Sequence, residues 1–164
     1  IFPGMSAREN VEMAAMAAAH GSFSLNFLKR RDAFPDIGAT TEEMLRAVEL
    51  EDDAATEAAS LPYGDKRRLE IAIALASGPD LLFMDEPTAG MSPEETQSTV
   101  TLIERLQSEL GLTIVLVEHD MEIIFNIADS IAVLNRGAVI ADGSPEQVQN
   151  DTDVQKAYLG GVEL

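Results

Sequence analysis

The 164-residue chain has no cysteine, no tryptophan and only three lysines. Without cysteine it can form neither a disulfide nor a thiolate metal site, and the two histidines, His20 and His119, are too few to make a zinc site. No apolar run approaches the roughly 18 residues that span a bilayer. These absences exclude a disulfide-stapled fold, a zinc finger and a transmembrane helix within these residues.

Basic residues are also scarce, and the formal net charge is −18. A surplus of acid argues against a nucleic-acid partner, because such partners are held through their phosphates. The hydrophobic content of 46% is enough to build a core in a domain of this length. We interpret the acidic surface as one that stays hydrated at high salt, where screening weakens self-repulsion.

The first 60 residues predict helices and no strand. Ser6 with Glu9 forms a capping-box pattern that opens a helix ending near Gly21. Thr40 with Glu43 forms the same pattern and predicts a second helix. This region is therefore predicted to be an all-helical part of the molecule.

Residues 81–87, LLFMDEP, run from four bulky apolar residues into two adjacent carboxylates. Apolar residues without polar alternation predict a strand buried on both faces of a parallel sheet, ended by Pro87. Asp85 and Glu86 then lie at the carboxyl end of the strand, where ligands bind in open α/β sheets. Such a pair can hold a metal ion and polarise water. A strand that merely ends in a solvated acidic turn is the alternative.

The second half of the chain predicts alternating helices and strands. A turn at 61–64 precedes a helix over 66–76, and Ser92 opens a helix that stops at Gly111. A strand over 112–117 follows, so strand, helix and strand imply parallel pairing. Residues 130–134 and 138–141 predict an antiparallel hairpin, and Ser144 caps a final helical tail.

Four short motifs together resemble those of ABC-type ATPases. Residues 61–65, LPYGD, before KRRLEIA resemble the signature loop and its helix, and residues 81–87 resemble the Walker B strand. Residues 89–93 resemble the D-loop, and residues 118–120 the switch histidine. The resemblance is greatest to the ATP-binding subunits of branched-chain amino acid importers. It implies a P-loop NTPase-like α/β fold: a partial parallel sheet flanked by helices, with an N-terminal helical subdomain and a C-terminal antiparallel hairpin.

The resemblance also implies roles for individual residues. Asp85 would hold Mg²⁺ through its water shell, Glu86 would orient or deprotonate the attacking water, and His119 would bond the γ-phosphate of ATP. A second group would face the ATP of a partner subunit, with a tight turn exposing backbone N–H groups: Leu61, Pro62, Tyr63, Gly64, Asp65 and the D-loop Ser92.

The sequence departs from the family pattern in several places. Pro62, Tyr63 and Asp65 replace the Ser, Gly and Gln of the widespread signature, and Ser92 replaces an Asp that many family members carry. The first change removes a hydroxyl donor, and the last puts coupling through the D-loop carboxylate in doubt.

The chain contains no GxxxxGK[ST] loop and no recognisable Q-loop glutamine, and it does not begin with Met. We therefore expect it to be the C-terminal part of a longer subunit, with residues 1–78 forming the helical and signature region and 79–164 part of the catalytic core. These residues alone lack the cradle for the β- and γ-phosphates, so we expect no appreciable ATP hydrolysis by them.

The family resemblance predicts partners as well as cofactors. The intact subunit would use ATP and Mg²⁺ in a head-to-tail dimer, as homodimer or heterodimer, at the cytoplasmic face of the cell membrane. Permease subunits would dock on the helical region, whose groove would be lined by Met13, Met16, Phe23 and Phe27, although core packing explains these side chains equally well. The alternatives are an ABC ATPase of DNA repair or chromosome architecture, and a non-catalytic interaction module.

Overall fold

A computed structural model describes residues 1–20 and 37–158 of the protein. The chain divides into two compact units, Ile1–Val117 and Glu118–Leu164. The functional division predicted between residues 78 and 79 stays a prediction.

The first unit begins with helix α1, Ala7–His20. The predicted capping box is confirmed: the Glu9 carboxylate accepts from the Ser6 N–H at 2.7 Å, and the Ser6 hydroxyl accepts from the Glu9 N–H at 3.2 Å. The predicted stop at Gly21 and the aromatic residues Phe23 and Phe27 lie outside the described residues. Local capping chemistry therefore identified the start of this helix.

Helix α2 spans Ile37–Ala47, so the start predicted at Thr40 is wrong. The neighbouring Thr41 lies inside the helix and its hydroxyl donates to the Ile37 carbonyl at 2.8 Å. A threonine that bonds the carbonyl four residues back is accommodated within a helix and does not mark its beginning. The helix ends at Ala47, and in the turn that follows Glu49 has φ +60° and the Leu50 N–H donates to the Leu45 carbonyl at 2.8 Å.

A short 3₁₀ turn at Ala58–Ser60 leads to helix α3, Tyr63–Leu75. The predicted start at Lys66 is three residues late, and the turn predicted at Gly64 is wrong because Gly64 is the second residue of the helix. Pro62 and Gly64 are typical turn residues, but an extended Pro62 is also a suitable residue from which to enter a helix. Leu69, Ala72 and Leu75 pack in the core with α1 and α2.

Strands β1, Leu81–Asp85, and β2, Thr113–Val117, pair in parallel, which confirms the prediction. Between them runs α4, Pro93–Leu110, which ends at Gly111 with φ +64°. That left-handed conformation suits glycine and explains why the helix stops there. The register sets Asp85 opposite Val117, so both strands end at the same edge.

The predicted burial of β1 on both faces is wrong. Leu82 and Met84 are buried in the core, with Ile114 and Leu116 of β2 packed against it. The opposite face is apolar but open, with Phe83 68% and Val117 55% exposed. The apolar run correctly indicated a parallel strand, but burial of its second face depends on what packs there, which the run itself does not specify.

The second unit contains a short helix, an antiparallel hairpin and two terminal helices. They are α5 Met121–Ile127, β3 Ile131–Asn135, β4 Ala138–Gly143, α6 Pro145–Gln149 and α7 Thr152–Tyr158. Arg136 and Gly137 form the turn, with φ +50° and +83°, the signs that a two-residue hairpin turn favours. The hairpin prediction is confirmed.

The tail that was predicted as one helical segment forms two helices, α6 and α7, because Asp151 caps the start of α7. Its carboxylate accepts from the N–H groups of Asp153 and Val154 at 2.8 and 3.1 Å. Val148 of α6 and Val154 of α7 share a small core with Ile131 and Val133. Within residues 1–20 and 37–158, no helix combines the length and apolarity of a membrane span.

Candidate functional site

The predicted acidic pair lies where β1 ends. Asp85 is the last residue of the strand and Glu86 follows it, and both are exposed. The Glu86 N–H donates to the Val117 carbonyl at 2.8 Å, which extends the ladder one residue beyond Asp85. The parallel sheet therefore holds the backbone of both acids while leaving their carboxylates accessible.

Glu86 has a left-handed backbone conformation, with φ +46°. A non-glycine residue in that region costs roughly 1–2 kcal/mol. The conformation is held by the bond to Val117 and by a turn in which the Ala89 N–H donates to the Glu86 carbonyl at 3.1 Å. Strain of this kind persists where surrounding structure enforces it, and it is concentrated at functional sites.

The predicted signature residues occupy the start of α3. Leu61 is buried, Pro62 is the residue before the helix, and Tyr63 and Gly64 are its first two residues. First-turn N–H groups have no intrahelical partner, and Pro62 has no side-chain acceptor to cap them. The N-terminal turn of α3 thus presents backbone N–H donors and the positive end of the helix dipole. Asp65 in the same turn adds a negative charge.

Gly64 lies close to the first turn of α4. A Cβ added at this position would lie 3.4 Å from a carboxylate oxygen of Glu95 in α4, an ordinary van der Waals contact. The other oxygen of that carboxylate accepts from the Ser92 N–H at 2.9 Å, so Glu95 has little freedom to withdraw. The first turns of α3 and α4 therefore approach each other at Gly64.

Ser92, at the predicted D-loop position, caps α4. Its hydroxyl accepts from the Glu95 N–H at 3.3 Å, which completes a capping box with the Glu95 carboxylate. The side chain that replaces the D-loop Asp therefore has a structural task within its own subunit. A contact between the Tyr63 hydroxyl and the Ala89 carbonyl, 3.0 Å long, also joins α3 to this segment.

His119 belongs to the second unit, so its pairing with Glu86 stays a prediction. Its imidazole is 73% exposed, and its Nδ1 lies 3.9 Å from a carboxylate oxygen of Glu118. Asp120 follows and caps α5, accepting from the Glu122 N–H at 2.9 Å. The residue next to His119 thus fixes the start of a helix while the imidazole remains accessible.

Glu49 organises the packing of three helices, a role that motif comparison missed. Its carboxylate accepts from Arg68 of α3 at 2.8 Å and from Arg105 of α4 at 2.6 Å. The hydrogen bond from Arg68, and after it the bond from Arg105, lower the pKa of the Glu49 carboxyl below its ordinary value. Arg105 also donates to the Ala47 carbonyl at 2.8 Å at the end of α2. No local pattern signals Glu49, because its partners lie 19 and 56 residues away.

Two open grooves in the first unit are lined by residues other than Asp85 and Glu86. A groove of about 550 Å³ follows α4 beside Glu49 and Arg105, and another of about 530 Å³ lies beside Tyr63, Lys66 and Arg67. Asp85 and Glu86 are exposed at the carboxyl end of β1.

With this geometry in place, comparison with known proteins defines the class. The family model described as "ABC transporter" matches residues 1–89, and that described as "Branched-chain amino acid ATP-binding cassette transporter" matches residues 138–163. The chain belongs to the ABC transporter family. This confirms the family and the fold class predicted from the motifs.

Two curated relatives show which members of the family the chain is similar to. The chain is 40% identical over 167 residues to the high-affinity branched-chain amino acid transport ATP-binding protein BraF of Pseudomonas aeruginosa, covering 98% of this chain and 64% of BraF. It is 45% identical over 116 residues to the corresponding protein LivG of Escherichia coli, covering 71% of this chain and 46% of LivG. The chain thus spans about half to two thirds of these relatives.

A solved structure agrees with the fold. The protein cbiO1 from Clostridium perfringens, part of the ABC transporter complex cbiONQ, superimposes with a TM-score of 0.76 and is 28% identical. The match covers 93% of this chain and 56% of cbiO1.

Proposed function

We propose that this chain is part of the ATP-hydrolysing subunit of an importer for branched-chain amino acids. The observation that carries the proposal is Glu86, an exposed carboxylate at the end of a parallel strand in a strained conformation held by Val117 and Ala89. The transported substrate class is supported by the names of BraF and LivG. The intact subunit is proposed to work at the cytoplasmic face of the membrane.

Two features of the described residues support ATP and Mg²⁺ as ligands. Asp85 and Glu86 offer two exposed carboxylates at one strand end, the donor type that Mg²⁺ prefers, and α3 offers backbone N–H groups for a phosphate. Bound Mg-ATP would supply the phosphoryl group that is transferred to water. Asp85 would hold the ion, and residues 61–65, at and just before the start of α3, would bind phosphate on a partner subunit's nucleotide.

Glu86 would act as the general base of ATP hydrolysis. Its carboxylate would orient the attacking water and accept a proton from it, while His119 would donate a hydrogen bond to the terminal phosphate. The exposed position of the acids supports a site that is completed by other residues of the full-length subunit and by a second ATP-binding subunit.

The helical region is the proposed permease contact. Met13 and Met16 lie one turn apart on α1 and are 45% and 44% exposed. Methionine side chains adapt to varied apolar partners, so they suit a docked helix of the permease. The two described helices of this region have 14 and 11 residues, which favours a compact docking region over the long coiled coils of chromosome-architecture ATPases.

The test uses the full-length subunit together with its permease. We expect Mg-dependent phosphate release from ATP, reduced by about 10²–10⁴-fold in Glu86→Gln, the range of general-base contributions. Glu109→Gln, at an exposed position of α4, is the matched control and should retain activity. Equal activity in Glu86→Gln and Glu109→Gln would refute the proposed role.

A further inference from the structure

Tyr63 joins the start of α3 to the turn that follows the acidic pair. Its hydroxyl donates to the Ala89 carbonyl at 3.0 Å, across 26 residues of sequence. The same turn begins at Glu86, whose carbonyl accepts from the Ala89 N–H at 3.1 Å. One side chain of the signature helix is therefore bonded to the segment that sets the conformation of Glu86.

The Tyr63 ring is held in place from its own helix. Arg67, one turn further on, donates to the Tyr63 hydroxyl at 3.0 Å and lies 5.4 Å from the ring centroid. Glu70 accepts from Arg67 at 2.7 Å. The pKa of the Arg67 guanidinium is raised by the bond to Glu70 and then by that to Tyr63, so the donor stays charged. A hydroxyl that accepts from a cation is polarised and becomes a stronger donor toward Ala89.

The turn that follows Glu86 is fixed by contacts within it and by contacts from other elements, among them the Thr99 hydroxyl of α4, which donates to the Met91 sulfur at 3.3 Å. Gly90 has φ +78°, and the Met91 N–H donates back to the Thr88 carbonyl at 3.2 Å, so these bonds are local to the turn. Ser92 is engaged in capping α4 and holds the far end of the segment. The Tyr63 bond is a long-range contact to the middle of the segment between Glu86 and Ser92.

We infer that Tyr63 is a positioning residue that couples the start of the signature helix to the placement of Glu86 in the same subunit. This rests on the proposed function. A displacement of the start of α3 on binding a partner's nucleotide would pull on the Ala89 carbonyl and so on the turn that begins at Glu86. Tyr63 touches no reacting atom in this role.

The link itself is tested in the chain as it stands by amide hydrogen exchange. Tyr63→Phe keeps the ring and removes the donor, and exchange at Ala89 and Met91 should rise about two- to tenfold, the factor of one net hydrogen bond. Tyr158→Phe is the matched control, because it removes a hydroxyl that donates to the Leu134 carbonyl at 3.3 Å in the second unit. Unchanged exchange at Ala89 and Met91 in Tyr63→Phe overturns the inference.

The consequence is tested in the intact subunit. Tyr63→Phe should lower kcat for ATP hydrolysis by about two- to tenfold with KM for ATP nearly unchanged, and should have no further effect in a Glu86→Gln background. A full kcat in Tyr63→Phe overturns the inference while leaving the proposed function intact. Absence of hydrolysis by the wild-type subunit would instead overturn the proposed function.

Discussion

The Glu86 N–H donates to the Val117 carbonyl at 2.8 Å, so the residue proposed to activate water is bonded directly to the end of the neighbouring parallel strand. The bond lies just beyond the Asp85 and Val117 pair that ends the ladder. It fixes the backbone of Glu86 by sheet pairing and leaves the carboxylate exposed. The strained φ of Glu86 is thereby supported by structure outside the turn.

The strain at Glu86 predicts an unusual order of stabilities. Glu86→Gly relieves the left-handed conformation and Glu86→Ala does not, so we expect the glycine variant to be more stable by about 0.5–1 kcal/mol in urea unfolding. At ordinary positions, alanine is the more stable of the two. A more stable alanine variant would show that the conformation of Glu86 is not strained.

Ser92 is predicted to matter for stability through its cap. Ser92→Ala should lower the free energy of unfolding by about 1 kcal/mol, and Ser92→Asp should be nearly neutral because aspartate also caps helices. Ser144→Ala, which removes the equivalent capping box of the five-residue α6, is the comparison. Thermal unfolding of the three variants measures this, and equal losses in Ser92→Asp and Ser92→Ala would contradict the role of the cap.

Glu49 predicts a dependence of stability on pH. Its folded pKa is depressed below the ordinary value of 4.5 by Arg68 and Arg105, so its contribution is present above that pH and is lost as pH falls toward the folded pKa. The side chain is half exposed, so we expect Glu49→Gln to cost only about 1 kcal/mol at neutral pH.

The Glu49 measurement compares urea unfolding at neutral pH and in the most acidic buffer in which the wild type stays folded. The difference between wild type and Glu49→Gln should shrink in acid. Glu51→Gln, an exposed neighbour, is the control and should show little effect at either pH. A stability difference between wild type and Glu49→Gln that grows in acid would contradict a stabilising role for the Glu49 carboxylate.

The net charge of −18 predicts stabilisation by salt. Raising NaCl from about 0.1 to about 1 M shortens the screening length from about 10 to about 3 Å and weakens repulsion among surface carboxylates. The midpoint of thermal unfolding should therefore rise over this range. A protein that is most stable in dilute buffer would contradict the high-salt interpretation of its surface.

Features encoded locally were predicted well from the sequence. The boxes at Ser6, Ser92 and Ser144, the stop at Gly111 and the turn at Gly137 each depend on a few adjacent residues, and each is confirmed. The family was also predicted correctly, from four short motifs and their order along the chain. The helix start predicted at Thr40 is wrong because Thr40 lies inside α2.

Features that depend on distant partners were not predicted. The open face carrying Phe83 reflects what packs on the sheet, and the Tyr63 contact with Ala89 requires knowing that α3 begins at Tyr63. The sequence predicts a turn at Tyr63. The spacing of four residues between Tyr63 and Arg67 predicts a side-chain contact only within a helix, so this contact was not predicted. The Glu49 interactions with Arg68 and Arg105 likewise exist only once three helices are assembled.

We propose that Glu86 and His119 serve one reaction at one phosphate, and a double-mutant cycle on the full-length subunit tests this most directly. Phosphate release would be measured for Glu86→Gln, His119→Ala and the two combined. We expect the double variant to lose about as much activity as the more impaired single variant, because residues that act as a unit are strongly non-additive. Losses that multiply would show that the two side chains act independently and would contradict the account.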